Sequence, residues 1–314
     1  MSKNCGHMRY HHSFMQALGI GITAATVAIL VIGFFRSSRR PFPAQGWLGI
    51  VALAGAEWLM FHRIDPVATY FTPIAWSAYI LIVDAAVLSL TGRSRLHDAP
   101  FTVARMSLLS VPLWLIFEAY NVRLQNWTYV GVPREWPEAL AGYIWSFATI
   151  TPAIFQTSDL VQALLPPLPA KPRGFSRGAE NVLIACGAAC LILPLVIPQR
   201  LAANLFALVW VGFLLLLDPI NRRLRLPSFL GDISEGFLRR FYGFFFAGWI
   251  CGWLWEFWNN WAAAKWHYTF PVFQNLKIFE MPAPGYLGFP PFALDCFVMY
   301  VSAAWLAGWL KRVK

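Results

Sequence analysis

Two acidic residues, each with an amide three residues later, recur along this chain of 314 residues. Glu118 is followed by Asn121, and Glu256 is followed by Asn259. At this spacing both side chains lie on one face of a helix, so the amide can orient the carboxyl group by hydrogen bonding. Buried carboxylic acids can hold a proton near neutral pH and transfer it to a bound molecule. The pattern therefore predicts acid–base chemistry at two related positions.

Further polar and aromatic residues follow each acidic pair in the same order. Each copy has a Trp-x-Tyr element and, 27 residues after its tyrosine, a polar residue that follows a proline: Trp127, Tyr129 and Gln156 in one copy, Trp266, Tyr268 and Asp295 in the other. Aromatic faces stabilise a desolvated cation by about 2 kcal/mol. The candidate catalytic residues are thus Glu256, Asp295 and Glu118. The candidate substrate-binding residues are Asn259, Asn121, Gln156, Trp127, Tyr129, Trp266 and Tyr268.

The composition indicates that these residues lie in a membrane. Hydrophobic residues make up 58% of the chain and charged residues only 13%, about half the charged share of a soluble domain. The apolar residues form nine segments long enough to cross a hydrocarbon layer of roughly 30 Å. The segments are Phe14–Phe35, Ala44–Phe61, Val67–Leu90, Phe101–Ala119, Ala139–Leu165, Ala179–Ile197, Leu201–Pro219, Phe241–Trp258 and Pro290–Leu310. We therefore expect an all-α, polytopic membrane protein with about nine transmembrane helices.

An internal repeat organises these segments. Segments three to five match segments seven to nine, because Trp76 precedes Asp84 by eight residues and Trp210 precedes Asp218 by eight, ahead of the landmarks above. Both copies enter the membrane from the same side, which predicts two parallel three-helix repeats related by a pseudo-two-fold axis. The predicted divisions are 1–66 with the first two helices, 67–165 as repeat A, 166–200 as a basic, proline-rich linker with segment six, and 201–314 as repeat B.

The basic residues predict the orientation in a cell membrane, such as a bacterial inner membrane. One set of connections holds sixteen lysines and arginines, and the other holds eight: Lys3, Arg9, Arg63, Arg123, Arg134, Arg200, Lys265 and Lys277. The positive-inside rule places the richer set in the cytoplasm, so the N-terminus is predicted outside and the C-terminus inside. Because these residues are spread over membrane connections, the net charge of +10 does not indicate nucleic-acid binding.

Other polar residues favour structural roles or give no site. Asp84, Asp159 and Asp218 lie at the predicted cytoplasmic ends, where caps or arginines can satisfy them, and Glu57 has His62 and Arg63 nearby as partners. The sequence has no nucleotide-binding loop or zinc motif, and Cys186 and Cys190 have no accompanying histidine. We therefore expect no metal and no cofactor.

The repeated landmarks resemble the membrane-embedded lycopene cyclase family, the heterodimeric or fused carotenoid cyclases. Each module of that family has an acidic residue ending one helix, a Trp-x-aromatic element, and Pro-x-Glu-Glu opening the next helix. Here Glu118, Glu256, the two Trp-x-Tyr elements and the prolines before Gln156 and Asp295 stand at similar places, but the paired glutamates are missing. The resemblance implies redox-neutral cyclisation or isomerisation of a carotenoid-like isoprenoid lipid, started by a carboxylic acid.

Two other functions remain open from the sequence. Tandem repeats around a polar cavity are also typical of transporters, so a transporter or lipid-binding protein with a polar cavity near the outer face is the main alternative. A purely structural role as an assembly subunit accounts for the hydrophobicity, but it does not account for the repeated Glu-x-x-Asn.

Overall fold

The computed structural model describes the backbone of residues 2–310 and the side chains of residues 13–310. The predicted outer N-terminus and inner C-terminus fall on residues outside this described part. The chain is predominantly helical, as expected. Its helices are α1 Ser2–Arg36, α2 Ala44–Phe61, α3 Phe71–Thr91, α4 Arg95–Asp98, α5 Pro100–Leu124, α6 Trp136–Leu164, α7 Arg177–Val196, α8 Gln199–Ala202, α9 Phe206–Arg223, α10 Phe229–Glu235, α11 Arg239–Trp261 and α12 Phe289–Leu306. Four short strands, β1 Trp127–Val130, β2 Lys265–Tyr268, β3 Lys277–Ile278 and β4 Met281–Pro282, and a 3-10 turn at Ala283–Gly288 lie in the connections.

Six helices in the described part of the chain are long and apolar enough to cross a membrane. They are Ser13–Arg36 within α1, then α2, α3, α5 and α7, and Ala283–Leu306, which contains α12. Three further long helices, α6, α9 and α11, overlap the remaining predicted segments with different bounds, most of all α9, which begins at Phe206 and not at Leu201. These features are those of a membrane protein, as the composition predicts.

Close approaches at glycine hold neighbouring helices together. A Cβ atom at Gly187 of α7 would lie 2.4 Å from the Leu216 nitrogen and 2.8 Å from the Gly212 oxygen of α9. In the same way, a Cβ atom at Gly49 of α2 would lie 2.8 Å from the Ala78 oxygen of α3. Lipid tails are as apolar as leucine, so helices in a membrane gain stability from such tight van der Waals packing. As a result α7 packs along α9, and α2 packs along α3.

Strands β1 and β2 form a two-stranded antiparallel ribbon at one end of the bundle, which we call the ribbon end. The register pairs Trp127 with Tyr268 and Tyr129 with Trp266. The two Trp-x-Tyr elements therefore lie side by side, each tryptophan opposite the tyrosine of the other strand. Helices α5 and α11 run into this end, and α6 begins there. The ribbon thus joins two connections that are far apart in sequence.

Acidic residues at the opposite end have the structural contacts that the sequence favours. Asp84 accepts a hydrogen bond from the Ser94 hydroxyl at 2.7 Å and one from the Leu96 N–H at 2.9 Å, beside the start of α4. Asp218 accepts the N–H groups of Phe229 and Leu230 at 2.7 and 2.8 Å. These N–H groups open α10 and have no partner within their own helix. The third residue of this set, Asp159, binds the Arg95 guanidinium, with one hydrogen bond of 2.9 Å.

The glycine contacts can be tested by adding one methyl group. We expect Gly187→Ala to lower the free energy of unfolding by about 1 to 3 kcal/mol, because the new Cβ atom overlaps the α9 backbone. Gly55→Ala is the matched control, since nothing lies within 4 Å of its Cβ position and alanine is the better helix former. Thermal unfolding of both variants in detergent checks this. Equal midpoints would contradict the close packing of α7 on α9.

Candidate functional site

An aromatic cavity of about 120 Å³ lies at the ribbon end. Helices α3, α5, α6, α9, α11 and α12 and both strands of the ribbon contribute to its wall. Thirteen of its lining residues are aromatic, and six of these are tryptophans. The tryptophans are Trp76, Trp114, Trp127, Trp210, Trp255 and Trp266. A wall of this kind favours an apolar ligand and can stabilise positive charge within it.

The tryptophan rings contact one another across helix boundaries. Trp114 of α5 stacks on Trp255 of α11 with ring centroids 6.1 Å apart, and Trp76 of α3 lies 5.3 Å from Trp255. Trp114 also meets the edge of Phe292 of α12 at 5.7 Å. Trp255 therefore links rings from both halves of the chain. The cavity wall is a continuous aromatic surface instead of a set of isolated side chains.

Four of the ten residues predicted for the site line the cavity, namely Trp127, Tyr129, Trp266 and Tyr268. The prediction missed the other four tryptophans of the wall. A signal for two of them was present in the sequence, because Trp76 and Trp210 hold the same place in the repeated pattern. Trp114 has no such signal, since the corresponding position four residues before Glu256 is Gly252.

Glu118 lies behind the cavity wall and binds three of its rings. Its Oε1 atom accepts hydrogen bonds from the Tyr129 hydroxyl at 2.6 Å, the Trp114 indole at 2.8 Å and the Trp127 indole at 3.3 Å. All three donors belong to lining residues, whereas Glu118 does not. This carboxyl group therefore fixes the orientation of three rings on the side of the cavity formed by α5 and β1.

Glu256 makes the corresponding contact on the other side of the ribbon. Its Oε1 atom accepts a hydrogen bond from the Tyr268 hydroxyl at 2.8 Å, and its side chain is fully buried. The second oxygen, Oε2, has no hydrogen-bond partner among the described residues. Glu256 is not a lining residue either, whereas Tyr268 is. A ligand in the cavity therefore meets the tyrosine, and the carboxyl group acts from behind it.

The two asparagines bind the ribbon and do not orient the glutamates, contrary to the prediction. Asn121 donates to the Trp127 carbonyl at 2.9 Å and accepts from the Trp127 N–H at 3.1 Å. Asn259 donates to the Trp266 carbonyl and accepts from the Trp266 N–H, both at 3.0 Å. Each amide thus mimics a strand partner for one tryptophan backbone. The asparagines place the rings of β1 and β2 over the cavity.

Asp295 and Gln156, the polar residues that follow a proline in each copy, are both buried. Asp295 accepts the Leu214 N–H of α9 at 2.7 Å through one oxygen, and its other oxygen has no partner in the described part. Gln156 is buried with neither side-chain atom partnered there. It is also the twenty-first residue of α6, roughly 30 Å along the helix from its start. Neither residue lines the cavity.

The ribbon tyrosines stay protonated in this environment. Burial raises the pKa of the Tyr268 hydroxyl well above its usual value, and the neighbouring Glu256 raises it further. The pKa of Tyr129 is raised by burial and then by Glu118. Both hydroxyls are therefore hydrogen-bond donors at neutral pH. Within the described residues, no cluster of three or more histidine, cysteine or acidic side chains is arranged to hold a metal ion.

The asparagine contacts can be tested by loosening the ribbon. We expect the double variant Asn121→Ala/Asn259→Ala to be cleaved faster by trypsin after Lys265, because the N–H and C=O groups of two tryptophans lose their partners at about 1 to 3 kcal/mol each. The control is Asn260→Ala, which changes the neighbouring residue but removes none of these four hydrogen bonds. Equal cleavage rates in the two proteins would show that the amides do not hold the ribbon.

Comparison of the chain with protein-family models, with curated proteins and with solved structures gives no match. Inferences about function therefore rest on the cavity and the residues around it.

Proposed function

We propose that all nine long helices cross the membrane with the ribbon end outside, and that α3–α6 and α9–α12 are two related units. The equivalent hydrogen bonds of Asn121 and Asn259 support a common origin for the two units. Helix α2 packs along α3 as α7 packs along α9, so each unit of three long helices gains a fourth long helix, α2 in one unit and α7 in the other. Segment six, which is α7, then belongs to the second unit and not to a linker between the two units. The short helices α4 and α10 also follow the two capping aspartates in the same way.

We propose that this chain is a membrane enzyme that binds a polyene isoprenoid lipid, carotenoid-like in chemistry, and cyclises or isomerises it without a redox change. The carrying observation is the aromatic cavity in which two tyrosine hydroxyls are each backed by a glutamate. An apolar chain fits a wall of indole and phenyl rings. The glutamates supply the acid that such a reaction requires, and the rings stabilise its cationic intermediate.

In the proposed reaction Glu256 is the acid and Tyr268 delivers its proton. An ionised carboxylate, buried without a cation in contact, costs far more than the neutral acid, which favours a protonated Glu256. The hydrogen bond between the two groups reverses, so the Tyr268 hydroxyl gives its proton to one carbon of a C=C bond while its oxygen takes the Glu256 proton. A new C–H bond forms, and the other alkene carbon becomes a cation.

The remaining steps return the proton. A second C=C bond attacks the cation to form the ring bond, and a carbon beside the new cation then loses a proton through Tyr268 to Glu256. The acid is regenerated and the product is an isomer of the substrate. Glu118 and Tyr129 form a second acid–hydroxyl pair across the ribbon, and this pair is available to take up the same proton.

A second function is favoured by one observation. None of the three candidate acids, Glu118, Glu256 and Asp295, is among the lining residues that the structure describes, as expected if the cavity binds or transports an isoprenoid without chemistry. The largely aromatic wall favours a lipid over a polar solute as cargo.

Lipid analysis separates chemistry from binding. In a carotenoid-producing host that expresses the chain, we expect a product of unchanged mass and altered chromatographic retention. Glu256→Gln and Tyr268→Phe should each lower its yield by about 100-fold or more, since each removes the proton donor. Liquid chromatography with mass spectrometry measures the yield, and Glu235→Gln, an exposed acid on α10, is the control.

An identical lipid profile with and without the chain would contradict the proposed reaction. In that case we expect purified protein in vesicles to bind or transfer a polyene lipid, with Trp255→Ala lowering the affinity because Trp255 joins the rings of both halves. Lipid transfer between vesicles, followed by carotenoid absorbance, measures this second function.

A further inference from the structure

Three basic side chains and one carboxylate form a charged cluster beside the aromatic cavity. Lys265, the first residue of β2, is a lining residue of the cavity. Its Nζ atom lies 3.3 Å from Glu280 Oε1 and 3.2 Å from the Asn260 carbonyl oxygen. Glu280 Oε2 lies 2.7 Å from His267 Nδ1, and Lys277 donates to the Tyr268 carbonyl at 3.4 Å. Positive charge therefore collects where the cavity meets the ribbon.

The contacts of Lys265 leave room for a further anionic partner. An ammonium group has three donors, and Glu280 and Asn260 accept two of them. Both contacts are longer than the 2.7 to 2.9 Å typical of charge-assisted hydrogen bonds. Glu280 is also shared with His267, so one carboxylate serves two basic side chains. Lys265 is thus a partly buried cation with unused hydrogen-bonding capacity.

We propose that the cavity takes an amphiphile with an anionic phosphate head, held by Lys265, and an isoprenoid tail, held by the tryptophan wall. This inference rests on the proposed isoprenoid site and names its substrate class. The positive charge of Lys265 can bind the anionic head, and the apolar cavity beside it can bind the isoprenoid tail. Lysine binds phosphate as a compact point charge, which suits a single residue at the mouth of a cavity.

Binding measurements on the full chain in detergent test this. Quenching of tryptophan fluorescence is titrated with farnesyl phosphate, farnesol, farnesoic acid and inorganic phosphate. We expect farnesyl phosphate to bind at least tenfold more tightly than farnesol, and inorganic phosphate not to compete with it. Tighter binding of farnesyl phosphate than of farnesoic acid distinguishes a phosphate head from a carboxylate, because the phosphate carries more charge.

Two substitutions in the cluster should have opposite effects. Lys265→Met should lower the affinity for farnesyl phosphate about tenfold, since one charge-assisted hydrogen bond is lost. The affinity for farnesol should stay unchanged. Glu280→Gln should raise the affinity for farnesyl phosphate, because it releases Lys265 and His267 from their shared carboxylate. Arg200→Met is the control for a change of charge, since Arg200 is not a lining residue. Lys265→Arg keeps the positive charge and should retain most of the affinity. The loss in Lys265→Met would then come from the missing charge and not from misfolding.

The outcomes separate this inference from the proposed function. Equal affinities for farnesol and farnesyl phosphate, unaffected by Lys265→Met, would overturn the phosphate head and leave the isoprenoid site intact. Weaker binding in Glu280→Gln would overturn it as well, because the cluster would then be purely structural. Competition by inorganic phosphate would indicate a free-phosphate site instead. If no isoprenoid binds at all, both the phosphate inference and the proposed function are wrong.

Discussion

The cavity depends on the internal satisfaction of backbone polar groups at the ribbon end. A buried backbone N–H or C=O group costs free energy unless it finds a hydrogen-bond partner, and a connection between helices has no helical partners of its own. The ribbon supplies some of these partners through strand pairing, and Asn121 and Asn259 supply others. Because the same amides fix the backbones of Trp127 and Trp266, a requirement of folding also sets the positions of the rings. The glutamates add to this order through the tyrosine hydroxyls.

The two halves of the chain contribute different side chains to the aromatic cavity that both of them line. Gly252 stands four residues before Glu256, where the first half has Trp114, and a Cβ atom there would lie 2.3 Å from the Phe289 ring. On the same side Trp253 stacks on Tyr286 with centroids 4.0 Å apart, in a second apolar cluster that includes Met15 of α1. Helix α1 and the connection after β2 therefore fill space with side chains on that side.

The helices could be predicted from apolar segment length, but most site contacts could not. Helix α2 begins and ends at Ala44 and Phe61, as expected, because charged or proline-containing sequence bounds that segment. By contrast, Glu57 accepts a hydrogen bond from the Trp258 indole N–H at 3.0 Å. Among the described residues, its predicted partners His62 and Arg63 make no hydrogen bond to it. Helical spacing predicts that each asparagine lies on the same face as its glutamate. In the structure the asparagine instead binds the backbone N–H and C=O groups of the strand that follows its helix. Such contacts depend on the tertiary path.

The position of the acids behind the rings bears on how a membrane enzyme could handle a carbocation. A carboxylate in contact with the cation would capture it as an ester, whereas an aromatic face stabilises positive charge without forming a bond. In this cavity the rings form the wall, and Glu118 and Glu256 lie behind it. Both accept a tyrosine hydroxyl, and Glu118 also accepts the indole N–H groups of Trp114 and Trp127. The same burial that makes an ionised Glu256 unfavourable also restores the neutral acid once a proton returns. In the proposed reaction, separating the proton store from the surface that meets the cation therefore lets one buried residue serve as both acid and base.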